Sequence, residues 1–227
     1  MIRLDTSGGV VYNSTRMNPP AIAIDGPAAS GKSTVAKLIA KELGYTFINT
    51  GAMYRAVTWY TLKQGVNPAD TAAVVALLPG IPLAFGKDGA VSTVMCEGRV
   101  LTDELTETST NENVSAIAAI PEVRALLVEK QREYNLAEPV VMEGRDIGTV
   151  VFPNTPFKYF VTASEEVRAA RRAAQGLTDS IAERDRKDSA RACAPLTQAE
   201  DAKLVDTSDL SIEQVVAHIV ADIRSRI

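Results

Sequence analysis

A glycine-rich segment near the start of the chain carries residue types suited to binding phosphate. It reads GPAASGKS over residues 26–33, a full match to the pattern G-x-x-x-x-G-K-[ST]. An apolar run at 21–25 precedes it, and a segment at 34–43 with apolar residues at helical spacing follows it. In such a strand–loop–helix unit, the backbone N–H groups of the loop and the helix N-terminus face an anion. The segment therefore predicts a site for the phosphates of a nucleoside triphosphate.

Two side chains of this loop have predicted roles. Lys32 should reach the β- and γ-phosphates of ATP, and the Ser33 hydroxyl should ligate Mg²⁺. The sequence does not identify the acidic residue that orients the metal, because Asp25, Glu143 and Asp146 are all candidates. We expect the nucleotide to be held by the consecutive loop residues Gly26, Pro27, Ala28, Ala29, Ser30, Gly31, Lys32, Ser33 and Thr34.

Two later segments place arginines where a second phosphate could bind. NTGAMYR at 49–55 follows a predicted strand, and MEGRDIGT at 142–149 follows another. Parallel strands present their carboxyl ends at one edge of a sheet, which is where ligands bind. Arg55 and Arg145 should meet there, and the planar fork of a guanidinium suits a monophosphate.

A third segment, ERDRKDSAR at 183–191, is rich in charge. If helical, it places four charged residues on one face: Arg184, Lys187, Asp188 and Arg191. Three upstream arginines would share a face of the preceding helix: Arg168, Arg171 and Arg172.

Each of these three segments also has a plainer interpretation. Arg55 could be a surface arginine beside a capped helix. Arg145 could simply pair with Asp146, and alternating charge on a helix usually marks a solvated face with weak ion pairs. The residues alone leave these alternatives open.

Together the segments resemble the bacterial cytidylate kinase family, whose members phosphorylate CMP and dCMP and belong to the nucleoside monophosphate kinases. Five stretches carry the resemblance in order along the chain: IDGPAASGKST at 24–34, NTGAMYRA at 49–56, EGRDIGTVVFP at 143–153, ERDRKDSARACAPL at 183–196 and VDTSDLSIEQVV at 205–216. The match runs from Ala21 to the C-terminus and leaves out the first residues of the chain.

The resemblance implies an enzyme that transfers the γ-phosphoryl group of ATP, with Mg²⁺, to CMP or dCMP. It implies that Arg55, Arg145 and Arg191 hold the acceptor phosphate, and that Arg184 and Asp188 contact the pentose. Four residues are expected to recognise the base: Thr50, Ser115, Arg124 and Asp146. The catalytic group is expected to act by positioning and charge neutralisation, without a protein nucleophile: Lys32, Arg184, Asp188 and Arg191.

The expected base group makes chemical sense for cytosine. Asp146 can accept from the N4 amino group, and Arg124 can donate to N3 and O2. Uracil reverses the donor and acceptor at positions 3 and 4, so each side chain would meet the wrong group. A site built on buried hydrogen bonds can reject such an analogue by roughly 10⁴-fold at best. We therefore predict CMP over UMP by a wide margin.

The elements that must position these residues alternate between strands and helices. The expected fold class is α/β, a P-loop kinase with a parallel sheet flanked by helices on both faces. Four further strands are predicted after the first: 45–49, 139–142, 157–163 and 202–206. Helices are predicted at 52–64 and 211–227.

One stretch breaks this alternation. Residues 82–105 read as short β segments with a hairpin signal at Asp88-Gly89, and a helical region at 111–135 follows, interrupted at Pro121. We predict a kinase domain over 19–227 after an N-terminal extension at 1–18 that is expected to be poorly ordered. Within the domain, we predict a β-rich, monophosphate-binding insert at about 80–118 and a short helical lid at about 168–190.

The composition fits a folded, cytoplasmic enzyme. The chain has 227 residues, of which 46% are hydrophobic, and a net charge of −4, which argues against a nucleic-acid partner. Cys96 and Cys193 lack the spacing of a metal site. No apolar run approaches the ~18 residues that a membrane span needs. We expect no membrane partner, and the resemblance suggests a monomer.

Two other functions remain to be separated from this one. The first is another small-molecule kinase of the same fold, acting for example on adenylate or shikimate. The second is a nucleotide-dependent switch that hydrolyses ATP without an acceptor. The base group argues against the first and the paired phosphate sites argue against the second, and a substrate panel would distinguish all three.

Overall fold

The computed structural model of the chain describes residues 20–174, 181–191 and 193–227; for 181–184 it describes the backbone and not the side chains. The predicted N-terminal extension at 1–18 and the side chain of Arg184 lie outside the described residues. The predictions that concern them stay predictions.

One eight-stranded sheet runs through the described part of the chain. Its strands are β1 Ala21–Asp25, β2 Thr46–Asn49, β3 Leu83–Asp88, β4 Val91–Cys96, β5 Arg99–Val100, β6 Val140–Gly144, β7 Phe157–Thr162 and β8 Lys203–Asp206. The spatial order is β3-β4-β2-β6-β1-β7-β8, with β5 paired to β4. The pairs among β1, β2, β6, β7 and β8 are all parallel. The predicted α/β class is confirmed.

Eight α-helices connect and cover these strands in the described part. They are α1 Lys32–Leu43, α2 Thr50–Lys63, α3 Thr71–Leu77, α4 Thr108–Ile117, α5 Pro121–Ala137, α6 Glu165–Ala174, α7 Ile181–Ser189 and α8 Ile212–Arg224. Pro121 occupies the first turn of α5, where its missing N–H costs nothing. Ser211 and Gln214 form a capping box at the start of α8.

The predicted elements are present, with shifted ends. Each of the strands predicted at 21–25, 45–49, 139–142, 157–163 and 202–206 matches an observed strand within two residues. The helical region predicted at 111–135 is two helices, α4 and α5, separated at Pro121. The Asp88-Gly89 hairpin is confirmed, since β3 and β4 pair antiparallel across that turn.

The hairpin is attached to the main sheet. β4 pairs in parallel with β2 at Phe47 and Val91, so the hairpin extends the sheet beyond β2. This attachment places α4 and α5, which follow the hairpin, close to α2. The assignment of 80–118 to an insert and of 168–190 to a lid stays a prediction.

The hydrophobic core lies on both faces of the sheet. On one face, α1 and α8 pack on the strands, with Ile39, Ile219 and Ile223 fully buried against Ile22 and Ile24. A second cluster joins α2, α4 and α5 through side chains such as Val57, Ile117, Val123 and Leu127. Strands β1 and β6 are buried along their whole length, which explains why their sequences are apolar without alternation. Their polar residues, Asp25 and Glu143, come at their carboxyl ends.

No helix among the described residues is long and apolar enough to cross a membrane.

Candidate active site

A cavity of about 280 Å³ lies at the carboxyl edge of the sheet. It gathers most of the predicted site residues: Ala28, Ala29, Gly31, Lys32, Ser33, Thr34, Thr50, Arg55, Ser115, Arg124, Arg145, Asp146, Asp188 and Arg191. Three residues of the predicted nucleotide site do not line it, namely Gly26, Pro27 and Ser30. Residues distant in the sequence therefore share one cleft, as the topology requires.

The segment at 26–33, here called the phosphate loop, has the backbone that its glycines predict. Gly26 has φ +156°, and a Cβ there would lie 2.0 Å from the carbonyl oxygen of Val161. Gly31, before the first turn of α1, has φ +87°. At both positions, a residue with a side chain would strain the backbone. The Nζ of Lys32 donates to the carbonyl oxygen of Pro27 at 2.8 Å, so the ammonium bridges the two ends of the loop.

The three candidate carboxylates differ in their contacts. The Ser33 hydroxyl, in the first turn of α1, donates to Oε1 of Glu143 on β6 at 2.9 Å. Asp146 instead pairs with Arg124, and Asp25 accepts from backbone N–H groups. A hydroxyl and a carboxylate are hard oxygen ligands that suit Mg²⁺, which usually takes only one or two protein groups besides phosphate and water. Ser33 and Glu143 fit such an ion.

Asp188 joins three of the predicted site residues, and we call Arg145, Arg191 and Asp188 the arginine cluster. Asp188 is 2% exposed. It accepts from Nε of Arg145 at 2.9 Å, from Nη2 of Arg191 at 2.5 Å and from Oγ of Ser115 at 3.3 Å. Arg145 thus pairs with a residue of α7, and the simple pair with the neighbouring Asp146 considered from the sequence is not what forms.

The arginine cluster concentrates positive charge in a buried place. Burial lowers the pKa of Arg191; Asp188 opposes this, and the nearby charges of Arg145 and Arg124 add to the lowering. The Nε atom of Arg191 is buried without a hydrogen-bond partner among the described residues. A buried cation with a spare donor and like charges nearby is costly unless an anion binds it. The cluster therefore suits a phosphate.

The predicted base group lies beside this cluster. Arg124 and Asp146 form a buried ion pair, and Nη1 of Arg124 also donates to the carbonyl oxygen of Ala118 at 3.2 Å. Burial raises the pKa of Asp146, and Arg124 opposes that rise. The Thr50 hydroxyl donates to the carbonyl oxygen of Glu143 at 2.8 Å. Thr50 therefore holds the end of β6 in place as well as lining the cavity.

Tyr54 was not singled out from the sequence, although it belongs to the NTGAMYRA stretch. Its ring lies 5.6 Å from the guanidinium carbon of Arg124, a cation–π distance, and it lines the cavity. Burial raises the pKa of its hydroxyl to about 12, so the ring stays neutral. The neutral ring of Tyr54 thus stabilises the Arg124 guanidinium through a cation–π contact and does not form an ion pair with it.

Asn111 is a second residue that the sequence did not reveal. Its Oδ1 accepts from Nε of Arg55 at 3.1 Å, while its Nδ2 donates to the carbonyl oxygens of Thr106 at 2.8 Å and Glu107 at 3.2 Å. The amide is therefore fixed by the two residues that precede α4, and it in turn orients Arg55. A lone asparagine on a helix has no pattern that could have predicted this role.

The arginines of α6 have an unexpected position. Arg168 donates to the carbonyl oxygen of Ala28 at 3.3 Å and pairs with Asp185, which accepts from the Ala28 N–H at 3.2 Å. Arg171 donates to the carbonyl oxygen of Ser30 at 3.2 Å. Arg172, by contrast, lines the cavity.

Arg168 and Arg171 therefore hold carbonyl groups of the phosphate loop, contacts that the sequence did not indicate. Arg171 is further fixed by Thr207, whose hydroxyl accepts from it at 3.0 Å and donates to the same Ser30 carbonyl at 3.1 Å. Turning N–H groups inward leaves the loop's carbonyl groups in need of donors, and α6 supplies them.

Comparison with known proteins gives a consistent result. A family model described as cytidylate kinase matches residues 22–225. A cytidylate kinase of Lactiplantibacillus plantarum is 46% identical over 209 residues, covering 87% of this chain and 92% of that protein. One from Streptococcus pneumoniae is 48% identical over 217 residues, covering 90% and 97%. A gluconokinase structure from Sinorhizobium meliloti is 17% identical with a TM-score of 0.47, covering 92% of this chain and 94% of that one, and this distant likeness supports no statement about activity.

Proposed function

The chain belongs to the cytidylate kinase family, and on that premise we propose that it transfers the γ-phosphoryl group of ATP to CMP and dCMP. The observation that carries the proposal is the lining of one cavity, which brings residues of the phosphate loop together with Arg55, Arg145 and Arg191. Two phosphate-binding sides facing one cleft suit transfer between two phosphates, which needs positioning and charge neutralisation above all.

The donor nucleotide would bind along the phosphate loop. Lys32 would leave the Pro27 carbonyl and bind the β- and γ-phosphates, with the loop N–H groups and the N-terminus of α1 around them. Mg²⁺, when bound, would neutralise charge on those phosphates. Ser33 would hold it, and Glu143, which already bonds the Ser33 hydroxyl, is the carboxylate best placed to orient it.

The acceptor phosphate would bind at the arginine cluster. Arg145 and Arg191 would exchange Asp188 for the phosphate oxygens, and Arg55 would approach from α2, oriented by Asn111. Asp188 would then be free to accept from a pentose hydroxyl, in the role that the resemblance implies. A 3′-hydroxyl suffices for that bond, so dCMP should serve as well as CMP.

The base would be recognised by Arg124 and Asp146. In the described structure these two side chains satisfy each other. Cytosine can enter between them, because it offers an amino donor to Asp146 and ring acceptors to Arg124. Uracil leaves an acceptor against the carboxylate and a donor against the guanidinium, and both buried charges lose their partner.

A coupled assay for ADP release tests the proposal. ATP and Mg²⁺ are supplied with CMP, dCMP, UMP, AMP, shikimate or no acceptor. We expect fast turnover with CMP and dCMP, slow turnover with UMP, and almost none without an acceptor. Acceptor-independent hydrolysis would support the switch instead, and activity confined to AMP or shikimate would mean that the roles of Arg124 and Asp146 are wrong.

A monomeric state and a cytoplasmic location belong to the same proposal. Light scattering coupled to size-exclusion chromatography tests the first, and fractionation of cells tests the second.

A further inference from the structure

A buried carboxylate outside the proposed set of ligands connects the two sides of the cavity. Asp25 is the last residue of β1 and directly precedes the phosphate loop, and it is 5% exposed. Its Oδ1 accepts from the N–H of Ile147 and its Oδ2 from the N–H of Gly148, both at 2.8 Å. Each oxygen is thus used by a different backbone donor, an arrangement that fixes both the distance and the orientation of the bonded backbone.

The two donors belong to the segment that carries the ligands of the second site. Ile147 and Gly148 follow Arg145 and Asp146 without a gap, and we call residues 145–148 the acceptor segment. Asp25 lies opposite Gly144 in the pairing of β1 with β6, so the acceptor segment turns back over the end of β1. At that turn the backbone forms a single π-helical turn over Ile147–Val151, an irregularity common at functional sites.

The approach of the acceptor segment to Asp25 depends on a glycine. A Cβ at Gly148 would lie 3.3 Å from Oδ2 of Asp25 and 3.2 Å from Cδ of Lys158 on β7. A Cβ there would require the carboxylate or the lysine side chain to shift by a few tenths of an ångström. The acceptor segment, β1 and β7 are therefore packed to a fixed separation at this point.

We propose that Asp25 is a positioning residue, which fixes Arg145 and Asp146 at the distance from the phosphate loop that in-line transfer requires. It touches neither substrate in this account and acts only through the acceptor segment. The inference rests on the proposed function for its effect on catalysis, because a phosphoryl group can pass between two phosphates only when both are held in line. The bond pattern itself is independent of which acceptor is used.

The charge state of Asp25 gives the proposal a distinctive signature. Burial raises its pKa to about 7, while the bonds from Gly148 and Ile147 hold it below what burial alone would give. Asp146 raises it further and Arg145 lowers it. On the neighbouring strands, Glu143 is bonded to Ser33, and the ammonium of Lys158 is bonded to Asp201 and to the carbonyl oxygen of Pro153.

The first test compares Asp25→Asn with the wild type in separate titrations of CMP and ATP and in steady-state kinetics. The asparagine keeps one acceptor but turns an amide N–H₂ toward the second backbone donor. We expect kcat/KM for CMP to fall by about 10²-fold, as for a displacement of about 1 Å, and the affinity for ATP to change by no more than about threefold. Equal losses for CMP and ATP, or no loss for CMP, would overturn the proposal.

Two further variants separate positioning from general damage. Asp222→Asn removes another carboxylate with several partners, Tyr159, Lys203 and Arg226, which do not line the cavity. It should lower the melting temperature and leave the CMP-to-ATP comparison unchanged. Gly148→Ala keeps Asp25 but forces a shift of a few tenths of an ångström at its contact with the acceptor segment, so it should show a smaller loss that is again selective for CMP, even if Asp25→Asn fails to fold.

A spectroscopic readout does not depend on turnover. The amide resonances of Ile147 and Gly148 should titrate together with a midpoint near pH 7 in the wild type and should lose that titration in Asp25→Asn. Comparison with the variant removes any contribution from Asp146. Failure of the two amides to follow Asp25 would overturn the proposal. If they do follow it while CMP is not a substrate, the positioning contact stands and the proposed acceptor is what fails.

Discussion

The phosphate loop and the arginine cluster bind the same chemical group but are built in opposite ways. The phosphate loop is eight consecutive residues. Its shape comes from glycine torsion angles and from hydrogen bonds that two arginine side chains of α6 donate to its carbonyl groups. The arginine cluster joins side chains from the loop after β6 and from the end of α7, more than forty residues apart. Its shape depends on one carboxylate, Asp188, which holds both cations.

Because they are built differently, the two sites should respond differently to a ligand. Apart from the Ala28 N–H, which is bonded to Asp185, the phosphate loop presents N–H groups that need no rearrangement to meet an anion. The arginine cluster has to exchange an internal anion for an external one. The net free energy of binding there is that of the new ion pairs with the ligand, less that of the ion pairs with Asp188 that are broken. We call the phosphate loop the donor side, because it would bind the phosphoryl donor ATP, and the arginine cluster with its neighbours the acceptor side. We therefore expect the donor side to behave as a rigid site, and the acceptor side to be sensitive to the loss of any single partner.

The largest expected effect is on the donor side. Lys32→Ala removes the buried ammonium of the phosphate loop and should lower kcat by roughly 10³-fold, because charge on the transferred group is left unneutralised. Stopped-flow or coupled assays measure it. Lys37→Ala, an exposed lysine on the same helix, is the matched control and should leave kcat unchanged. Near-normal turnover by Lys32→Ala would refute the assignment of the loop.

The next effect tests whether the acceptor side works by exchange. Asp188→Asn leaves Arg145 and Arg191 without their carboxylate and should lower kcat/KM for CMP by about 10²-fold. Because the two cations are then unpaired, sulfate should become a stronger competitive inhibitor against CMP than it is for the wild type. Asp209→Asn, an exposed carboxylate, serves as the control. Weaker inhibition by sulfate would contradict the exchange model.

A third variant tests how the base is recognised. Asp146→Asn replaces a pure acceptor by an amide that can donate to the O4 of uracil. The ratio of kcat/KM for CMP to that for UMP should fall by about 10²-fold, mostly because KM for CMP rises. The measurement is a pair of initial-rate series at fixed ATP. An unchanged ratio would show that Asp146 does not recognise the base.

A smaller effect is expected from Asn111. Asn111→Ala removes the acceptor for Nε of Arg55 and should raise KM for CMP by about three- to tenfold with little change in kcat, since the charge of Arg55 remains. Asn113→Ala is closely matched, because within the described part of the chain its side chain bonds only the Ser109 carbonyl of the same helix. Equal KM values for the two variants would rule out a role for Asn111.

The last and smallest expected effect is on the pH dependence of stability. The pKa of Asp25 is about 7 in the folded chain against an ordinary value of 3.8, so the folded state binds more protons between those values. The contribution of Asp25 to the free energy of unfolding is therefore full below about pH 4 and declines as the pH rises through 7. Urea denaturation at pH 5 and pH 8 should show this decline in the wild type. Asp25→Asn should lack that component, and an identical pH dependence in both proteins would contradict it.

The donor side was predictable because its information is local. Gly26 and Gly31 stand where the backbone needs positive φ, and the apolar strand before them is buried as its composition predicts. The Asp88-Gly89 hairpin and the break at Pro121 belong to the same class of signal. In each case a residue type restricts its own torsion angles or those of its neighbours.

The side-chain partners on the acceptor side were not predictable from the residues alone. Arg145 is next to Asp146 in sequence but pairs with Asp188, because Asp146 is held by Arg124 from α5. The sequence places Arg168 and Arg171 on one helix face, but it does not show that they donate to carbonyl groups of the phosphate loop. Such choices depend on how the helices pack against the sheet and against one another, and a charge pattern carries no information about that packing. The resemblance to a family indicated which residues gather but not how they pair.

The mutual satisfaction of Arg124 and Asp146 has a consequence for inhibitor design. A compound that binds only one of the two leaves the other as a buried, unpaired charge, so its gain is largely cancelled. Flat apolar scaffolds that exploit only the ring of Tyr54 should therefore be weak. Amino-pyrimidine-like scaffolds, which place a donor beside an acceptor on one edge, can replace both halves of the ion pair at once and are the better starting point for medicinal chemistry.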